Sequence, residues 1–182
     1  LLSVVLEATL DGDRNGVNST PPGSNKNAID GSDIQDICLG NCLMPPSGFA
    51  SMRMAAIAAG IPAETTPLSW VNRQCSSGLQ AVANIAHSIA QQEITIGVGG
   101  GVESMSFYPM KSLKAPDVDW TVMKASANKT AMDCLIPMGI TSDNVVKKYG
   151  LQRSDLDKFA MESHQKAARA QALGRFRNEI VP

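Results

Sequence analysis

Apolar positions in the first hundred residues recur with two different periods. Residues 1–10 read as the closing turns of an amphipathic helix. Asp11–Ser32 breaks the pattern: it is rich in Gly, Asn, Ser, Pro and charge, with Pro21-Pro22-Gly23 at its centre, and reads as a flexible solvated loop. Ile34, Ile37 and Leu39 mark a short apolar segment over Asp33–Leu39 that stops at Gly40. Met52, Ala55, Ala56 and Ala59 share one face of a helix predicted over Ser51–Gly60, which Gly60 and Pro62 terminate. Pro67–Val71 reads as the end of an extended segment. From Leu79 onward, Leu79, Val82, Ala83, Ile85, Ala86 and Ile89 return at three- and four-residue steps, the spacing of a helix. Glu93–Val98 predicts a buried strand running into Gly99-Gly100-Gly101. This alternation favours an α/β layer architecture with a parallel or mixed sheet.

The texture changes after Phe107. Residues 107–135 show no clear period. Thr141–Tyr149 predicts a short helix, with Thr141 or Ser142 as its cap and Gly150 beyond its end. Ser154 opens a longer helix, with Asp157 three residues on as a weak capping box. Leu156, Phe159, Ala160, Ser163, Ala167 and Ala170 form its narrow apolar face, and Gly174 ends it. The expected organisation is an α/β domain over residues 1–106 and a helical excursion over 107–182.

Composition narrows the chemistry. The 182 residues suffice for one domain with a sizeable core plus an excursion. Sixteen basic and seventeen acidic side chains leave no basic patch for nucleic acid, and no apolar run approaches a membrane span. No signal-peptide pattern is read from Leu1 onward. The cysteines Cys38, Cys42, Cys75 and Cys134 are sparse, which favours reduced thiols over a disulfide scaffold. Cys38 and Cys42 are separated by three residues rather than two, and only two histidines exist, so no structural metal site is expected. Asn18 and Asn128 match the glycosylation pattern as chance would produce it.

The most informative stretch is Asn72-Arg73-Gln74-Cys75-Ser76-Ser77-Gly78-Leu79-Gln80. It puts a thiol at the seam between an extended segment and a helix. The partial positive charge of a helix N-terminus favours a thiolate there, and the small neighbours leave room for a substrate. The alternative is a small buried hydrophobe, which most free cysteines are. Gly99-Gly100-Gly101 lacks both the spaced glycines of a dinucleotide fingerprint and the lysine of a P-loop, so close backbone packing beside the Cys75 turn is its expected use. His87 and His164 fall on predicted helices, as ordinary packed or solvent-facing residues.

Three segments together resemble one known family, the thiolases. Asn72–Ala81 is similar to the family's nucleophile motif, and Gly100-Gly101-Val102-Glu103-Ser104-Met105-Ser106 to the glycine-rich segment that follows it. Met138-Gly139-Ile140-Thr141-Ser142-Asp143-Asn144-Val145 resembles the part of the family's loop domain that lies over the active site. Ala50–Pro62 and Phe176–Pro182 also fit, so the likeness runs through the chain except for Asp11–Ser32. Cys134–Thr141 is most similar to the peroxisomal 3-ketoacyl-CoA branch.

The resemblance implies part of a five-layered αβαβα sandwich with an inserted helical loop domain. It implies thiolysis of a 3-ketoacyl-CoA to acetyl-CoA and a shortened acyl-CoA, as in fatty acid β-oxidation. Cys75 would be the acyl-carrying nucleophile, Met138 part of an acyl-chain wall, and coenzyme A a substrate, with no cofactor or metal. A homodimer and a peroxisomal location follow from the same likeness, with mitochondrion or cytosol as alternatives. It further implies that this chain matches only the nucleophile half. The family's Gly-His-Pro histidine and Cys-x-Gly cysteine have no counterpart here, so the chain alone is expected to be inactive. Three other readings stay open. These are a biosynthetic acetoacetyl-CoA thiolase, a non-catalytic thiolase-like scaffold, and a redox protein using Cys38 and Cys42.

Overall fold

The computed structural model describes residues 1–10, 29–112, 119–125, 129–177 and 179–181. The chain divides into two compact units, Leu1–Leu113 with Arg177–Pro182, and Lys114–Phe176.

The first unit is built around a three-stranded parallel sheet of β1 (Asp36–Gly40), β2 (Leu68–Val71) and β3 (Gly97–Gly101), in the order β2-β1-β3. Parallel neighbours need crossovers, and helices supply them: α2 (Gly48–Ala58) joins β1 to β2, and α3 (Ser77–Ala90) joins β2 to β3. Side chains alternate along β1. Ile37 and Leu39 enter a core with Leu6 and Leu10 of α1 (Leu2–Leu10), Met52 and Ala56 of α2, and Ile61, whereas Cys38 packs with Ala81 and Ile85 of α3. The unit is therefore a helix–sheet–helix layering, as the alternating pattern predicts. The expected inner face of α2 holds at Met52, Ala56 and Ala59, and Gly60 turns the chain at φ +86°.

Four expectations for this unit change. α2 starts at Gly48, three residues before the predicted Ser51. The third strand starts at Gly97 rather than Glu93. Residues 91–96 are occupied in reversing the chain, with Gln92 at φ +61°, and Gln35 Oε1 accepts hydrogen bonds from the Thr95 and Ile96 amides and so holds them outside the ladder. The apolar face read on α3 is only partly used. Its buried stripe is Ser77, Ala81 and Ile85, while Leu79 is 74% exposed and Val82 and Ile89 are also exposed. A sheet of three short strands covers only one narrow stripe of a helix. The loop expected over Asp11–Ser32 lies outside the described residues as far as residue 28. Its end is a 3₁₀ turn, Gly31–Asp33, where Ser32 donates to Asp30 Oδ1 through its amide and its hydroxyl. These two bonds hold the Asp30 carboxyl below its ordinary value. Asn18 and Asn128 also lie outside the described residues.

The second unit is helical: α4 (Trp120–Ala125), α5 (Lys129–Asp133), α6 (Met138–Tyr149) and α7 (Arg153–Ala172). Two short helices stand where no period was legible, because five or six residues are too few to display one. α6 starts at Met138, three residues before the predicted cap. Pro137 precedes it with φ −58°, already helix-like, and no side chain caps it. In α7 the capping box is Gln152 with Asp155, not Ser154 with Asp157. Asp157 pairs instead with Arg153 at 2.8 Å on the surface. Gly150 closes α6 at φ +64°, as read from the sequence. Neither α6 nor α7 has a buried residue, and the predicted inner face of α7 is open, with Phe159 exposed.

Candidate functional site around Cys75

Carboxyl ends of parallel strands are where α/β sheets gather functional groups. Here β1 and β2 run side by side with Gly40 opposite Val71, and both chains then leave the sheet. Asn41 N–H donates to the Val71 carbonyl at 3.2 Å, and the Trp70 indole donates to the Asn41 carbonyl at 3.3 Å. Beyond this point Asn72 Nδ2 donates to the Cys42 carbonyl at 3.1 Å.

The turn that carries Cys75 is fixed by its own polar side chains. Asn72 Oδ1 accepts the Gln74 amide at 3.0 Å. Ser77, almost fully buried, accepts the Arg73 amide on its hydroxyl at 2.9 Å and donates that hydroxyl to the Gln74 carbonyl. Ser76 Oγ donates to the Arg73 carbonyl at 2.8 Å. Gln74 is held at φ +53°, a left-handed conformation uncommon for a residue with a side chain. That backbone turn leaves Cys75 exposed two residues ahead of a fourteen-residue helix, where the helix dipole favours an anion.

Glycines let the helix end approach the sheet. A Cβ on Gly40 would lie 2.3 Å from the Ser77 carbonyl carbon, and one on Gly99 would lie 2.7 Å from the Val82 Cα. Gly101 closes the same seam against the Gly40 carbonyl oxygen and the Gly78 Cα. Close packing is thus the use of the glycine run. A Cβ on Gly100 would meet nothing within 4 Å.

Three residues gather near the Cys75 turn in a way that the sequence pattern does not predict. Asn41 is buried, accepts the Met44 amide at 2.7 Å, and donates to the Val102 carbonyl and to Glu103 Oε1. Glu103 also accepts the amides of Cys42 at 2.8 Å and Leu43 at 3.3 Å. Cys42 lies with its Sγ 3.5 Å from Gln74 Oε1. Burial first, then the charges of Cys75 and Glu103, push the Cys42 thiol above its ordinary pKa. The available signal was position: Gly40-Asn41-Cys42 follows an apolar strand just as Asn72 follows β2. Cys38 stands apart from this group, buried against α3 with its sulfur 3.6 Å from Asn84 Nδ2.

Met138 opens α6 in the second unit, with its side chain 60% exposed. His164 lies on α7 in that unit. His87 is on α3, ten residues past Ser77, or about 15 Å along the helix at 1.5 Å per residue. Among the described residues no three His, Cys, Asp or Glu side chains are grouped to hold a metal ion, and no helix is long and apolar enough to cross a membrane.

The family model described as "Thiolase, N-terminal domain" matches residues 24–182. The peroxisomal 3-ketoacyl-CoA thiolase B of Rattus norvegicus is 50% identical over 149 residues, 82% of this chain and 34% of that protein. The dimeric peroxisomal thiolase of Saccharomyces cerevisiae superposes with a TM-score of 0.79 at 37% identity, over 100% of this chain and 44% of that one. A second structure, of the peroxisomal 3-ketoacyl-CoA thiolase from the same yeast, is described as five-layered with two core domains of identical topology. It gives a TM-score of 0.69 at 35% identity over 100% of this chain and 43% of that one. The chain spans about a third of the length of the curated relatives it matches. The α/β layering and these likenesses agree: the chain belongs to the thiolase family and carries residues of its N-terminal domain.

Proposed function

We propose that the full-length protein cleaves 3-ketoacyl-CoA with Cys75 as the nucleophile. The observation that carries this reading is the exposed Cys75, presented by a hydrogen-bonded turn at the strand ends and ahead of α3. The Cys75 thiolate attacks the 3-keto carbon. The bond between C2 and C3 breaks, and acetyl-CoA leaves as an enolate that takes up a proton. Free coenzyme A then removes the shortened acyl group from Cys75. CoA acts as substrate, and no cofactor takes part.

Proton transfer needs a group within hydrogen-bond reach of the reacting atoms, and His87 is about three turns of α3 away. In this reading the acid and base come from a part of the thiolase family's length that this chain does not match. Residues 107–182 are the loop domain in this reading, and Met138 contributes to the wall against the acyl chain. The names of the relatives support a peroxisomal homodimer acting in fatty acid β-oxidation.

The test is thiolysis by the full-length protein of acetoacetyl-CoA and a long-chain 3-ketoacyl-CoA, beside its Cys75→Ser variant and the 182-residue chain alone. Turnover that depends on Cys75 and favours the long chain is expected. Preference for acetoacetyl-CoA would point to the biosynthetic reading, and undiminished turnover without Cys75 would overturn the proposal.

A further inference from the structure

Cys42 is a second thiol at the strand ends that carry the Cys75 turn, and the thiolysis proposed above assigns it no step. Three contacts fix its place. Its amide is held by Glu103 at 2.8 Å, its carbonyl by Asn72 at 3.1 Å, and its sulfur lies 3.5 Å from the side-chain oxygen of Gln74, the residue directly before Cys75. β1 and β2 are adjacent parallel strands, so their continuations leave the sheet together and bring both thiols to the same end of it. Cys75 is open to solvent and Cys42 is half-buried. Cys38, at 2% exposure on the α3 side of the sheet, lacks such access.

We propose that Cys42 is the resolving thiol of Cys75: after a hydroperoxide oxidises Cys75, Cys42 closes a reversible disulfide with it and preserves the nucleophile. The proposal rests on Cys75 being the reactive cysteine of the site. In the first step the Cys75 thiolate attacks the peroxide. An S–O bond forms, the O–O bond breaks, and water or an alcohol leaves after taking a proton; Cys75 is oxidised to a sulfenic acid and the peroxide is reduced. In the second step the Cys42 sulfur attacks the sulfenic sulfur. An S–S bond forms, the S–O bond breaks, and the departing hydroxide combines with the Cys42 proton as water. A dithiol reductant returns both thiols by two exchanges and becomes a disulfide itself. Without a partner thiol, further peroxide takes the sulfenic acid to a sulfinic acid, which a dithiol cannot reduce.

The electrostatics suit this order of events. After burial, the charge of Cys75 is the larger of the two that keep Cys42 protonated. A neutral sulfenic acid no longer exerts that repulsion, so Cys42 ionises more readily once Cys75 has been oxidised.

The test treats the full-length protein with hydrogen peroxide, blocks free thiols, and maps peptides by mass spectrometry without reduction. The expected product joins Cys42 to Cys75, two hydrogens lighter than the separate peptides, with fragment ions separating Cys42 from Cys38. Dithiothreitol should then restore iodoacetamide labelling of Cys75. In Cys42→Ser the link should vanish, Cys75 should gain two oxygens, and recovery of labelling should fall to background. Equal sulfinic acid in wild type and variant, or a link from Cys75 to another cysteine, would overturn the proposal. The wild-type measurement stands without the variant. Labelling of untreated protein separates the two readings. A Cys75 that labels rapidly but forms no link sinks only the resolving role. A Cys75 inert to iodoacetamide and peroxide alike sinks the nucleophile with it.

Discussion

Glu103 binds the Cys42 amide at 2.8 Å, joining the end of β3 to the end of β1. The same carboxylate takes Leu43 N–H and Asn41 Nδ2, so one side chain fixes three donors of the turn beside Cys75. Glu103→Ala leaves these donors to water in place of their charged acceptor and should cost about 0.5–1.5 kcal/mol, read as a lower denaturant midpoint. Glu103→Gln keeps an acceptor oxygen and should lose less.

Removing the Cys75 thiol should separate chemistry from stability. The side chain is exposed, so Cys75→Ser should change the unfolding free energy by no more than about 0.5 kcal/mol. Turnover by the full-length protein should fall about a thousand-fold or more, the scale on which loss of a nucleophile acts. Parallel denaturation and thiolysis measurements check both halves.

Gly40 and Gly100 make a matched pair. An Ala side chain at 40 would press on the backbone of Ser77 and lift the start of α3, at a cost of about 1–3 kcal/mol. Gly100→Ala points into open space and should be close to neutral. Thermal melts compare the stabilities. Iodoacetamide labelling reports on the Cys75 turn, which only the change at 40 should disturb.

Cys42 gives a pH signature above neutrality. Its folded pKa is raised from an ordinary value of 9.0 by burial first, then by Cys75 and Glu103. A raised value means that the folded state holds the proton to higher pH than the unfolded state. The corresponding stability is fully present below 9.0 and is lost as pH rises through the folded value. The stability difference between wild type and Cys42→Ser should stay constant below 9.0 and shift against the wild type above it. Cys75→Ser should lower the midpoint of Cys42 alkylation without returning it to 9.0, because burial remains.

Much of the first unit was legible in the sequence because its elements have clear periods and stops. Met52, Ala56 and Ala59 face the core as their spacing requires, and Cys75 occupies the predicted strand-to-helix seam. The start of β3 is not legible in the sequence, because Glu93–Val98 is apolar enough for a strand and its first half is excluded by a tertiary contact from Gln35. Asn41 and Glu103 were not recognised as partners because their bond spans about sixty residues and exists only once β1 and β3 lie side by side. The caps of α6 and α7 shifted because Pro137 and Gln152, weaker cap signals than Thr141 and Ser154, hold those positions.

The strand order has a consequence for assembly in time. Among the described residues β1 is the earliest of the three strands to leave the ribosome and the one that pairs with both others. β2 and β3 each dock against a template already synthesised, one on either flank, so this sheet can grow outward in step with translation. The segment beside the Cys75 turn becomes complete only with the last of them, when Glu103 arrives to fasten Asn41 and Cys42. A nascent chain halted before residue 103 would display Cys75 without the clasp that sets its surroundings.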